Sequence, residues 1–425
     1  MDNRRSFMKK SAVFTAMMAS APTIIRAQGA TRNFKVGLIG AGGRGTGAAN
    51  QLIEAAKNLG HTAQIIAVAD FFQDRVDKAQ KKFNVPANKT FIGADSYKKV
   101  IATDCDIVIL AAPPCFRAPH FEAAVKAGKH VFAEKPVAVD GAGVRQFIAS
   151  AAEAKAKKLA VVAGTQRRHQ GVYLQKAKLL ESGKIGKVVG GAVYWNMGAL
   201  WVRDRRPTDT NAGYLANNWV NWLEVSGDHI VEQHVHQLDV ANWFIGRIPE
   251  KATAIGARHR RRSGNQYDCF AVDYDYGEGV HIASLCRQIS GCSGNVSEHF
   301  RTPNCEFLGQ ARSVKLLDGT EVALEDCGHT DNPYVHEHED LLKSIVSGDV
   351  LNEGEQVALS CATAIIGRIA AYTGQTVLMS KFLNPKDNDP DYYKEVLKPT
   401  AVDFEKAGDV QLPAENVAPT PGKDK

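Results

Sequence analysis

After its first thirty residues the sequence has no apolar run of the ~20 residues that a membrane-spanning helix needs. Its eight cysteines include no C-x-x-C pair, so neither a zinc ribbon nor a thiol-redox motif is indicated. No basic face interleaved with aromatics is present, which argues against nucleic-acid binding. A net charge of +6 is mild for 425 residues. The basic residues are scattered apart from His259-Arg260-Arg261-Arg262, which reads as a solvated loop rather than an anion site. There are no internal repeats. What remains is an ordinary globular composition, 44% hydrophobic and 23% charged, in a chain too long for one core. Two domains and a tail are expected.

The first thirty residues differ from the rest. Arg4-Arg5-Ser6-Phe7-Met8-Lys9-Lys10 precedes an uncharged small-residue run from Ser11 to Ile25, and Arg26-Ala27-Gln28 follows. A charged start, a short apolar stretch and a small-residue cleavage site make residues 1–30 a twin-arginine signal peptide. The expected location is periplasmic or exported, with no stable membrane span once the signal is removed. Folding before export would take place in a reducing cytosol, where cysteines stay thiols.

From residue 33 to about 160, short apolar runs alternate with helical stretches. Phe34–Ile39, Ala63–Asp70, Asp106–Ala111 and His130–Ala133 read as strands, fully apolar in mid-run as in a sheet covered on both faces. This predicts an α/β fold opening with a doubly wound parallel sheet of Rossmann type. After Gly164 the strands follow one another, and turns such as Gly277-Glu278-Gly279 join them. A second, α+β domain over 161–380 with an open, mostly antiparallel sheet is expected, crossed by one helix from about Asp228 to Phe244. Helices near 336–373 are expected to pack back on the first domain. From 384 to 425, Pro, Asp, Lys and Asn accumulate, predicting an extended or loosely packed tail.

Gly40-Ala41-Gly42-Gly43-Arg44-Gly45 fits G-x-G-x-x-G and lies between an apolar strand and a helix, the context in which that pattern binds a dinucleotide. The first glycine permits the tight turn and the second admits the pyrophosphate to the backbone. The third lets strand and helix pack closely. Asp70 ends the second strand, where a carboxylate accepts hydrogen bonds from ribose hydroxyls and repels a 2′-phosphate. NAD is therefore expected over NADP, a preference that Arg44 and Arg75 would soften.

These features continue into Ala111-Ala112-Pro113, His120 and Gly128-Lys129-His130-Val131-Phe132-Ala133-Glu134-Lys135-Pro136. Together with Glu181–Val188 and the helix carrying His236 and Asp239, they make the chain resemble the Gfo/Idh/MocA oxidoreductases over about residues 33–380. The resemblance implies a cofactor site that includes Ala111, Pro113, His120, Glu134 and Lys135. It implies that Lys135 contacts the reacting hydroxyl and that His236 accepts its proton. Glu232 stands where the family has Asp and would orient the imidazole or touch substrate, and Arg168 falls at a position often near substrate. A homo-oligomer built through the second sheet is implied as well.

Glu232, His236 and Asp239 fall at i, i+4 and i+7, one helix face. Asp239 reads as structural. His234 and His236 point to different faces, as do His336 and His338 around Glu337, so no metal is expected. Tyr194, Trp195, Trp201, Tyr214, Trp219 and Trp222 crowd together in sequence, either to stack on a sugar (Trp195 foremost) or to pack a core. The expected activity is NAD-dependent oxidation of a secondary hydroxyl on a sugar, glycoside or polyol with a tightly held cofactor. A redox-neutral glycosidase, oxidising transiently and returning the hydride, is the first alternative. A non-catalytic NAD- or sugar-binding protein is the second.

Overall fold

A computed structural model describes residues 31–329 and 332–422. The stretch read as a signal peptide lies outside them. Six strands, β1 (Asn33–Ile39), β2 (Thr62–Asp70), β3 (Thr90–Ile92), β4 (Ile107–Leu110), β5 (His130–Ala133) and β6 (Val161–Ala163), form one sheet in the order β3-β2-β1-β4-β5-β6. Every neighbouring pair is parallel. The order reverses beside β1, which opens a crevice outside the carboxyl ends of β1 and β4, the place where such sheets bind ligands. The inner strands are buried over their carboxyl halves because helices cover both faces. Phe121 and Phe147 pack below, while Leu52, Leu341 and Leu342 pack above.

The second sheet contains β7 (Gly190–Met197), β8 (Lys251–Ala257), β9 (Cys269–Asp275), β10 (His281–Gln288), β11 (Asn295–Arg301) and β12 (Glu306–Leu308). A small hairpin, β13 (Val314–Lys315) with β14 (Glu321–Val322), stands apart, and β15 (Val377–Leu378) closes one edge. The sheet order is β12-β11-β7-β10-β9-β8-β15, antiparallel except where β7 runs parallel to β10. Burial alternates along β10, with Ile282, Ser284 and Cys286 inward and Leu285 outward, as expected of a sheet with one open face. The helices Val235–Ile245 and Gly354–Thr373 cover the inner face. The helix Gly354–Thr373 also packs on Gly141–Ala156, and Pro333–Ser347 lies on Gly43–Asn58. Among the described residues no helix is long and apolar enough to cross a membrane.

Two expectations need correction. Residues 384–422 hold no helix longer than a short 3₁₀ turn, yet they are not loosely packed. Tyr393, Phe404 and Val410 are buried, because widely spaced apolar residues seat an otherwise polar segment. The single helix Asp228–Phe244 is in fact two, His229–Glu232 and Val235–Ile245. At the break the His234 N–H donates to the His229 carbonyl in an i+5 step, and the His236 N–H donates to Gln233. That leaves the Glu232 carbonyl without its helical partner, and a lysine side chain takes it instead.

Candidate active site

A cleft of about 770 Å³ opens where the parallel sheet ends and the second domain begins. Ile39, Asp70, Ala111, Glu134 and Gly164, one from each of β1, β2, β4, β5 and β6 or the residue that follows it, line its floor.

The glycine turn divides in two by available space. A Cβ on Gly40, whose φ is +91°, would lie 2.3 Å from the Ala112 nitrogen, and one on Gly45 would lie 1.8 Å from the Gly40 carbonyl oxygen. Both sites require glycine because backbone crosses backbone there. A Cβ on Gly42 or Gly43 would meet nothing within 4 Å, although both residues line the cleft. That open cradle at the N-terminus of the helix Gly43–Asn58 has the form that suits a pyrophosphate. Asp70 braces it: its carboxylate accepts the Ala41 N–H at 2.7 Å and the Phe72 N–H at 3.0 Å, and Arg75 stands 3.8 Å away. Burial pushes the Asp70 carboxyl above its usual range against the pull of Arg75 and these two N–H groups. A carboxylate has about four acceptor positions, so lone pairs remain for ribose hydroxyls. Pro113 and His120 line the same wall. His120 is stacked on Tyr97 at 3.9 Å, neither ring nitrogen has a partner, and burial lowers its pKa to about 3. It serves as a neutral aromatic wall. These residues fit a nicotinamide dinucleotide.

Arg44 lines the cleft but is held by carboxylates. Its guanidinium pairs with Glu134 and, at 3.3 Å, with Glu337. Burial works against its charge, but the two carboxylates outweigh it and raise its pKa. Glu337 is fully buried, and burial together with Glu134 pushes its own carboxyl well up. Nothing around the Gly43–Asn58 helix in sequence pointed to Glu337, which is 293 residues from Arg44.

Beyond the turn the cleft reaches Lys135, whose bond to Pro136 is cis. Its ammonium donates to the freed Glu232 carbonyl at 2.6 Å and to Glu232 Oε1 at 3.2 Å. Gln233 in turn donates to the other Glu232 oxygen. His236 follows on the next helix and stacks on Trp195 at 5.7 Å with an angle of 22° between the rings. Its imidazole lines the cleft and makes no hydrogen bond to any described residue. Burial first, then the charges of Lys135, Arg167 and Arg44, hold its pKa well below 6.5. The cleft thus brings together a cation fixed by two bonds, a neutral imidazole with free nitrogens and an indole face.

Arg168 does not join them. Its guanidinium grips Asp239 through contacts of 2.8 and 3.0 Å and lies over Trp243, so it is spent inside the fold rather than offered to the cleft. Asp239 also accepts from Ser360, and neither Arg168 nor Asp239 lines the cleft. Gln166, two residues earlier in the same 3₁₀ turn, does line it, with its Oε1 buried and unpartnered and its amide donating to the Tyr334 hydroxyl at 3.3 Å. The aromatic crowd divides as well. Trp195, Trp201 and Trp219 face the cleft, whereas Trp222 and Tyr214 are core and Tyr194 turns to the other sheet face beside His299. Of the basic run, His259, Arg260 and Arg262 are exposed, whereas Arg261 is half-buried and holds the Tyr267 carbonyl and Gln288. Among the described residues no three His, Cys, Asp or Glu side chains converge as a metal site.

Residues 34–163 match the family model of the oxidoreductase family with the NAD-binding Rossmann fold, and residues 173–313 match the GFO/IDH/MocA C-terminal domain. The chain is 26% identical over 234 residues to inositol 2-dehydrogenase 4 of Saccharopolyspora erythraea, covering 55% of this chain and 60% of that protein. It is 26% identical over 236 residues to the 2,7-anhydro-N-acetylneuraminate hydratase of Escherichia coli K12, covering 55% and 57%. Across the first four curated relatives the matched part spans 43% to 60% of their length. Among solved structures, scyllo-inositol dehydrogenase from Lactobacillus casei with bound NAD(H) and scyllo-inositol superposes with a TM-score of 0.62. It is 19% identical and covers 82% of this chain and 99% of that one. Levoglucosan dehydrogenase in complex with NADH and levoglucosan gives 0.64 at 16% identity, with the same coverage. At these identities the likeness concerns the fold.

Proposed function

The chain belongs to the Gfo/Idh/MocA oxidoreductase family, and from that premise we propose that it oxidises a secondary hydroxyl of a sugar, glycoside or polyol using a tightly held NAD. The observation that carries this reading is the meeting of Lys135, His236 and Trp195 at the end of the glycine-turn cleft. Gly42, Gly43 and Asp70 would hold the dinucleotide, and the carboxylate at Asp70 is what favours NAD over NADP. The bound nicotinamide supplies the acceptor for hydride.

The remaining chemistry belongs to the side chains. A lysine ammonium has three N–H bonds, and Glu232 engages two of them. The third can donate to the reacting oxygen, where the positive charge stabilises developing alkoxide. His236 is held neutral, so one ring nitrogen can take the hydroxyl proton as carbonyl character grows. Trp195 offers an apolar face to a sugar ring. Gln166 Oε1, buried without a partner, is suited to accept from a second substrate hydroxyl.

A second reading is redox-neutral bond cleavage, in which the hydride returns after elimination and addition of water. The match to a hydratase of an anhydro sugar supports it. Both readings use Lys135 and His236, whereas a purely binding role would leave that pair unexplained. Two further expectations stand as part of this proposal. The start of the chain assigns it to twin-arginine export. The open face of the second sheet, with Ile255 and Leu285 exposed, is assigned to contact between copies of the chain. Purified protein tested with polyols, free sugars and nitrophenyl glycosides separates the two chemistries. NADH accumulation supports net oxidation, and aglycone release without NADH supports the neutral cycle. If Lys135→Ala and His236→Ala turn over as the parent does, the site assignment is wrong.

A further inference from the structure

We propose that Asn211–Trp219 forms a wall over the adenosine end of the cofactor cleft, and that the carboxyl-terminal segment Ala401–Asn416 latches this wall shut and so prevents release of the dinucleotide between turnovers. The proposal rests on the cofactor reading above. It supplies a physical reason for tight retention, which the glycine turn alone does not.

The wall is placed by polar contacts. Asn217 Oδ1 accepts from Arg75 at 3.2 Å, and Arg75 stands beside Asp70, the acid suited to the ribose. Ala216, Asn217 and Trp219 line the cleft, although they belong to an excursion of the second domain between β7 and the His236 helix. A dinucleotide lying along the glycine turn would therefore be covered from the side opposite the sheet.

The latch is a separate apolar cluster with polar ends. Phe404 and Val410 from the carboxyl-terminal segment pack with Tyr214 and Trp222 from the wall region and Phe116 from the Rossmann edge. Phe404 meets Phe116 ring to ring at 5.0 Å. Asp409 accepts the Asn211 N–H at 2.6 Å and the Ala212 N–H at 2.9 Å, the free donors that open the wall helix. Glu415 Oε1 accepts from the Tyr214 hydroxyl at 2.9 Å, from Ser263 at 3.0 Å and from the Gly264 N–H at 3.2 Å. On the other side, Glu405 pairs with Lys98 of the Rossmann domain. One segment thus ties the wall to both domains, and it lies beyond the two regions that the family models match, 34–163 and 173–313. For the adenosine end to leave, the wall must lift and these contacts must break first.

The test is NADH release from the full-length protein, followed by the fluorescence of bound NADH after a chase with excess NAD. It is run on the parent, Phe404→Ala, the pair Asp409→Ala with Glu415→Gln, and Lys394→Ala as a control in the turn Asp391–Lys394 that precedes the latch. The expected result is release at least about tenfold faster in the latch variants, equivalent to ~1.4 kcal/mol. The control should match the parent, and nucleotide-free melting temperatures should show every variant folded. Parent protein that binds NADH but releases it as fast as the latch variants overturns the latch and leaves the cofactor reading intact. Parent protein that binds neither NADH nor NADPH overturns both.

Discussion

Replacing Gly42 by alanine should separate cofactor binding from folding, because the added methyl meets no protein atom within 4 Å and stands in the cleft. Gly42 is the N-cap of its helix with φ −70°, a conformation alanine adopts without strain. Alanine is a poorer N-cap, at a cost of about 0.5–1 kcal/mol. The loss of unfolded-chain freedom returns about 0.4–1 kcal/mol. The two nearly cancel, so the melting temperature of the nucleotide-free protein should stay within a few degrees. NAD affinity should fall by at least about tenfold, ~1.4 kcal/mol, since backbone and pyrophosphate can no longer approach. Gly45→Ala is the contrast. Its methyl would lie 1.8 Å from the Gly40 oxygen, so the helix must move away from the strand, at a cost of about 3 kcal/mol. A thermal melt and a nucleotide titration on each variant decide the matter. A Gly42→Ala protein that binds NAD like the parent, or a Gly45→Ala protein as stable as the parent, would refute the reasoning.

Other consequences are as specific. His236→Gln should lower turnover about 10²–10⁴-fold with little change in melting temperature, measured at saturating substrate. The lowered pKa of His236 keeps the imidazole in its basic form above that depressed value, so kcat/KM for oxidation should stay level from neutral pH to well below 6.5 and fall only as the ring protonates. An acid limb at or above 6.5 would contradict this. Arg168→Ala leaves Asp239 buried without its cation, which should cost about 3–5 kcal/mol and show as a lower melting temperature with KM unchanged. Asp70→Ser removes the charge that opposes a 2′-phosphate, so the ratio of NADP to NAD affinity should rise in parallel titrations.

The parallel sheet was legible in the sequence because strands covered on both faces must be apolar where they are buried, as β4 is throughout and β5 is after His130. The glycine turn and Asp70 were legible because phosphate and ribose make fixed demands on backbone and charge. The break between Glu232 and Val235 was not, since the 3.6-residue period continues across it. The carbonyl it frees, that of Glu232, is taken by the ammonium of Lys135, 97 residues away. Arg168 was expected near substrate from the resemblance alone, and nothing local in the sequence shows that Asp239, 71 residues away, takes its guanidinium and leaves Gln166 at the cleft. The carboxyl-terminal segment defeats composition altogether. Its seating depends on single residues, Tyr393, Phe404 and Val410, set among polar neighbours without any period.

The central claim is that this cleft carries hydride from a secondary hydroxyl to a held nicotinamide under the control of Lys135 and His236. A single turnover tests it most directly: protein loaded with one equivalent of NAD is mixed with a panel of polyols, sugars and anhydro sugars, and NADH absorbance is followed in time. The account predicts a transient or lasting rise in NADH with at least one of them, abolished in Lys135→Ala and His236→Ala while both variants still bind NAD. No NADH with any of these compounds, or an undiminished signal in either variant, would contradict it.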